Sequence, residues 1–207
     1  ELMELPMCRE RIEAVRQFRL SSSSAPTRKL AERPRNYHVE NMPKGDYIII
    51  PRHSAERREY IPMGFLPADI LCGDSALMMP NATLYHYGLL QSQFHNAWMR
   101  TVCGRLKSDY RYSAGVVYNN FVWPDPTEAQ RAEIEARAQA VLDARAAHPG
   151  KSLANLYDPD KMPADLLAAH HALDAAAEAA YGVGFQGDEE KIVAHLFELY
   201  AQKVGNR

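Results

Sequence analysis

The chain has 207 residues, 46% of them hydrophobic, and a formal net charge of −2. That is enough apolar material for one or two domains with a core, and no window has the uninterrupted apolar length of a membrane span or the pattern of a signal peptide. Cys8, Cys72 and Cys103 are odd in number, far apart and in no CxxC spacing, which argues against a disulfide framework and a cysteine zinc site and points to a reducing cytoplasm.

The charge is unevenly spread. Residues 1–123 carry 16 Lys and Arg against 12 Asp and Glu, a balance of +4, whereas residues 124–207 carry 8 against 14, a balance of −6. The first part can face a polyanion; the second is poorly suited to it. Because the chain starts at Glu1 and not at Met, it is expected to be a piece of a longer protein or a processed product.

Residues 4–20 predict a short helix with Ile12, Val15 and Phe18 on adjoining positions. Ser21 to Pro26 reads as a flexible connector, and Arg28, Lys29, Arg33 and Arg35 make the next stretch basic. Tyr47 to Ile50 is a strand candidate stopped by Pro51. Arg58 to Phe65 is its expected partner, with Pro62 demoting it to an edge or a bulge, and Leu77 to Met79 is a third run. Thr83 is an expected N-cap for one helix whose stripe is Tyr87, Leu90, Phe94, Trp98 and Val102, with Gln91, Gln93, Asn96 and Arg100 on the other face. Val116 to Trp123 reads as a fourth strand.

Beyond Pro124 the pattern is helical. Thr127 and Gln130 form a capping box ahead of Ile134, Ala138, Val141 and Leu142. A second helix is expected from Pro163 to about Tyr181, with Gly182 as its C′ residue, and a third near Asp188 with Ile192, Leu196, Leu199 and Tyr200 together. The expected fold class is α+β. Residues 1–27 would be an N-terminal helix and connector, 28–124 a mixed α/β domain, and 125–207 a helical domain.

The segment Gly104 to Pro124, GRLKSDYRYSAGVVYNNFVWP, is the most informative. Arg105, Lys107, Asp109 and Arg111 recur at every second position, as on one edge of an extended segment. Arg, Lys and Asp are also side chains that read guanine and cytosine edges in the DNA major groove. Catalytic signatures are missing: there is no P-loop, HExxH or GxSxG. Tyr118-Asn119-Asn120-Phe121 superficially resembles the NPPY or NPPF tetrad of amino-methyltransferases but lacks both prolines, so it reads as a strand end. No glycine-rich strand–turn–helix is expected that would hold S-adenosylmethionine. His170 and His171 point about 100° apart on a helix and cannot share a metal; His170, on the apolar stripe, reads as a partly buried core histidine.

Three segments carry a family resemblance: Pro51 to Leu66, PRHSAERREYIPMGFL; Pro80 to Pro124; and Leu156 to Gly182, LYDPDKMPADLLAAHHALDAAAEAAYG. Together they resemble the C-terminal part of the MmeI-like single-chain restriction–modification enzymes, over nearly all of the chain beyond the serine connector. The resemblance implies a target recognition domain and closing helices, with a nuclease and an adenine-N6 methyltransferase domain upstream. It also implies double-stranded DNA and the methyltransferase domain of the same parent chain as partners. S-adenosylmethionine would bind the parent, and this piece would hold no cofactor or metal and be non-catalytic alone. In the family, the two variable positions of the GRLxSxYRYS segment track one recognised base pair. Here they are Lys107 and Asp109.

Groove chemistry fits that role, since Lys donates to guanine O6 and N7 and Asp accepts from cytosine N4. Arg111 is a further candidate for base contact, and Ser75 lies in a loop resembling another specificity-bearing position. Arg52, Arg57, Arg58 and Arg105 are candidates for phosphate. The competing assignments are structural: a surface salt bridge between Lys107 and Asp109, which share a face if the segment is a strand, and ion pairs of Arg57 or Arg58 with Glu56 or Glu59. Tyr110, Tyr112, Tyr118, Phe121 and Trp123 could stack flipped bases, but their apolar neighbours favour core packing. At the level of the whole chain, the alternatives to a DNA-reading module are a protein–protein or structural helical module and, last, a stand-alone histidine and carboxylate enzyme.

Overall fold

A computed structural model describes residues 2–37, 40 and 43–205, which form two compact units, residues 1–42 and 43–207. The first is helical. Helix α1 (Pro6–Leu20) begins with proline at its first turn, where the missing N–H is not needed. The serine stretch after it is a folded connection, contrary to expectation. Ser24 caps a short helix α2 (Ala25–Lys29), and Arg28 donates to the Ser22 and Ser23 carbonyls at 2.8 Å. The Arg19 guanidinium binds the carbonyls of Leu30, Arg33 and Asn36, closing the unit.

The second unit opens with β1 (Tyr47–Pro51) and β2 (His53–Ser54), followed by β3 (Gly64–Leu66) and β4 (Ala76–Pro80). β1 lies between β3 and β4 in an antiparallel sheet, with Ile48 and Ile50 buried. The expected strand over 58–65 is cut to its last residues because Ile61 pairs elsewhere. Its N–H donates to Asn96 Oδ1 at 2.9 Å, and its carbonyl accepts from Gln91 Nε2 at 2.6 Å. Gln91 and Asn96 are therefore fully buried, not on an outer face. A backbone polar group removed from water needs such a partner.

The helix expected from Thr83 to Val102 is two helices, α3 (Leu84–Gln91) and α4 (Gln93–Val102), broken at Ser92. Ser92 is extended, and its hydroxyl donates to the Leu89 carbonyl, replacing a helical bond. A second antiparallel sheet follows, in which β2 pairs with β6 (Asp109–Arg111) and β6 with β5 (Gly104–Leu106). The run read as a fourth strand is instead a π-helical turn, Ala114–Tyr118, closed by Asn119 N–H to Ala114 O at 2.8 Å. Asn120 Nδ2 donates to the Gly115 and Val116 carbonyls, so the YNNF tetrad is a helix end rather than a strand end.

Helix α5 (Glu128–Ala146) starts at the Thr127–Gln130 capping box and buries Ile134, Ala138 and Val141. A short α6 (Leu153–Leu156) leads to α7 (Ala164–Ala180), with Gly182 at φ +71°, and to α8 (Glu189–Gly205), which buries Ile192 and Leu196. Gly182, Gly184 and Gly187 have GxGxxG spacing. The spacing falls in the α7–α8 connection, where no strand feeds it, so it does not form the dinucleotide turn. Among the described residues no helix is long and apolar enough to cross a membrane, and no three His, Cys, Asp or Glu side chains converge on a metal position.

Candidate nucleic-acid interface

The charged segment singled out in the sequence is a hairpin. β5 and β6 are joined by Lys107 and Ser108, with Leu106 directly opposite Asp109 and Gly104 opposite Arg111. Lys107 stands at the turn with φ +56°, in the left-handed region that disfavours a side chain. The single charged edge expected from alternation is therefore divided. The turn reverses the chain between Lys107 and Asp109, so they are not i and i+2 on one strand.

Only Asp109 and Arg111 share a strand face, the exposed one, while Tyr110 between them is buried. Arg105 stands opposite Tyr110 and belongs to the other face. Its guanidinium lies 4.2 Å from the Tyr110 ring centroid, and its Nη1 donates to the Ser108 carbonyl at 2.9 Å.

Asp109 is held in place. Its Oδ1 accepts from the Glu56 N–H at 3.3 Å, and among the described residues Oδ2 accepts no hydrogen bond. Across the sheet, Arg111 faces His53 of β2, which is exposed. His53 was not singled out in the sequence; its pairing spans the whole of α3 and α4 and has no local signal. The Arg52 backbone ties the other candidates to this sheet. Its N–H donates to the Ser75 carbonyl at 3.0 Å, and its carbonyl accepts from Tyr112 N–H at 2.8 Å. Ser75 is exposed on the loop before β4. Ser75, His53, Arg111, Asp109 and Lys107 are thus exposed along one connected backbone, with Arg52 half-buried between Ser75 and His53.

The base of the hairpin is anchored in the core. The Tyr112 hydroxyl is 3.0 Å from His95 Nε2, and His95 Nδ1 is 3.0 Å from the Leu90 carbonyl. Burial pushes His95 down to about 3, so it is neutral at ordinary pH. Tyr110, Tyr112 and Phe121 are buried, and Tyr118 and Trp123 pack partly buried against them, as core packing predicted.

The remaining arginines divide. Arg57 is ion-paired with Asp158, at 3.0 Å, and with Asp160, which pushes its pKa up. Its partners come from the α6–α7 connection, not from the neighbouring Glu56 or Glu59. Arg58 and Arg52 form no ion pair among the described residues, nor do Lys107 and Arg111. Arg57 and Arg58 border a groove that also presents Glu56, Glu59 and Glu189, so its charge is mixed.

Two family models cover the chain: the MmeI target recognition domain over residues 1–125 and the MmeI C-terminal domain over residues 126–206. The chain is 38% identical over 198 residues to a protein named DNA methyltransferase A of Bacillus subtilis (strain 168), covering 95% of this chain and 22% of that protein. It is also similar to a solved structure described as the Type IIL restriction-modification enzyme MmeI in complex with DNA. There the TM-score is 0.93 and the identity 43%, over 98% of this chain and 27% of that one. The chain thus spans about a quarter of the length of these relatives.

Proposed function

Since this chain belongs to the MmeI family, as its target recognition and C-terminal domains, we propose that it is the sequence-reading piece of an adenine-N6 DNA methyltransferase of restriction–modification type. Duplex DNA is the ligand, and methyl transfer from S-adenosylmethionine takes place in a domain of the parent chain outside these residues. The residues here do not fit that cofactor, because their one GxGxxG spacing joins two helices and is followed by Asp188, Glu189 and Glu190.

The observation that carries the reading is the hairpin tip. A lysine in the left-handed region costs roughly 1–2 kcal/mol that glycine would avoid. Strain of this kind at an exposed tip points to a side chain kept for what it touches. Lys107 donates to guanine O6 and N7, and Asp109, oriented by the Glu56 N–H, accepts from cytosine N4 of the same pair. Arg111 and Ser75 flank them as further base contacts. Arg52 and Arg58 are the cations available for phosphate. Arg57 and Arg105 reach phosphate only by leaving Asp158 and Asp160, or the hairpin backbone. The acidic helical part, residues 125–207, faces protein rather than DNA and braces the reading domain, residues 28–124, against the parent's methyltransferase domain in the cytoplasm.

The test exchanges the pair, Lys107→Asp with Asp109→Lys, in the parent enzyme, and maps its methylated sites. One recognised base pair should invert, with about 1–3 kcal/mol of discrimination moving with it. An unchanged recognition sequence overturns the reading.

A further inference from the structure

Leu106 is 56% exposed on the hairpin face that otherwise presents Asp109, Arg111 and His53. A single exposed leucine is ordinary on a protein surface. The placement of this one is not: it immediately precedes Lys107 and stands directly across the ladder from Asp109. Residues opposed in this way share a face, with Cβ atoms about 4.5–5.5 Å apart. The tip therefore sets an acceptor and an apolar group side by side, with Lys107 next to Leu106 in the turn.

We propose that Leu106 is the apolar specificity contact of this site, placed against the C5 edge of the pyrimidine whose amino group Asp109 accepts. In cytosine C5 is bonded to C4, which carries N4, so the two features are neighbours on the major-groove edge. A side chain beside Asp109 on the same face meets C5 when Asp109 meets N4. Leucine has no hydrogen-bonding group to offer a base, and an apolar contact at this ring position is how a thymine methyl is recognised. The ligand class is duplex DNA that carries or lacks a methyl group at C5 of that cytosine. The inference rests on the base-reading role of Lys107 and Asp109.

The test uses the full chain and duplexes selected from a random pool. The base pair that changes when Lys107→Asp and Asp109→Lys are combined marks the position to modify. Duplexes with cytosine or 5-methylcytosine there are then titrated with the wild type and with Leu106→Ala. The methyl group should tighten wild-type binding roughly fourfold, the factor for burying one methyl-sized group, and should leave Leu106→Ala indifferent. An equal response in both proteins overturns the assignment of Leu106 while leaving the base-reading pair intact. Selection unchanged by the exchange overturns the pair, and Leu106 with it. Because Leu106 is exposed, its truncation leaves the core untouched, and circular dichroism verifies the variant's fold.

Discussion

Asp174 on α7 joins two other parts of the chain through one carboxylate. Its Oδ2 accepts from the Tyr60 hydroxyl at 2.6 Å, and its Oδ1 accepts from the Gln93 N–H at 2.6 Å, at the start of α4. Burial raises this carboxyl to about 7, helped by the charge of Glu59 and opposed by its two hydrogen bonds and by Arg100. Between about pH 4 and 7 the folded protein keeps a proton that the unfolded chain has released, so Asp174 makes stability fall as pH rises through that window. His95 and His170, both pushed down to about 3 by burial, act in the opposite sense from about pH 3 to 6.5. Asp174→Asn separates the two effects, since it keeps an acceptor for Gln93 and cannot ionise. Relative to wild type, the variant should gain stability as pH rises from about 4 to 7, by at most about 1.4 kcal/mol per pH unit. Urea melts at the two ends of the window measure this, and a difference independent of pH would show that Asp174 does not titrate there.

Among the elements, α3 and α5 meet at Gly88. A Cβ at that position would lie 2.6 Å from Ile134 Cγ2 and 3.2 Å from Ala138 Cβ. Ile134 is buried and β-branched, so it has little rotamer freedom to yield. Gly88→Ala should therefore destabilise by about 1–3 kcal/mol, although alanine is the better helix former. Ile134→Ala alone should cost about 2–5 kcal/mol. The double variant should be less destabilised than the two single effects together, because the clash is gone; simple additivity within about 0.5 kcal/mol would refute the contact. The sequence displayed what depends on near neighbours: the Thr127–Gln130 box, Gly182 past α7, and the Ile192 and Leu196 stripe of α8. It concealed what depends on distant partners. Gln91 and Asn96 look like surface residues until Ile61 is brought to them. The alternation of Arg105, Lys107, Asp109 and Arg111 has the same period whether the chain runs straight or turns back at Lys107 and Ser108. The candidate site was legible as residue types, but its geometry was not.

At the scale of the whole molecule, the family boundary at residues 125 and 126 runs through a shared core. Arg145 of α5 donates to the Met63 carbonyl, to Gln91 Oε1 and to the Tyr157 hydroxyl. The Tyr157 hydroxyl is 2.8 Å from His170 Nε2, and the His170 ring stacks on Tyr60 at 4.1 Å. Trp98 of α4 packs on Phe197 and Tyr200 of α8, and its indole N–H donates to the Val117 carbonyl. Separating the two parts would strand a guanidinium and several buried polar groups without partners, each costing about 1–3 kcal/mol or more. Residues 43–207 should therefore unfold as one cooperative unit despite containing two family domains. The chain has only two tryptophans, Trp98 and Trp123, both on the target-recognition side of the boundary, whereas α5, α7 and α8 supply much of the helical signal. Tryptophan fluorescence and far-ultraviolet circular dichroism should then report the same denaturation midpoint, the mark of a two-state transition. Fluorescence changing in a separate step from the helical signal would mean that the part before residue 126 folds independently of the helices after it, and that the Arg145 network does not couple them.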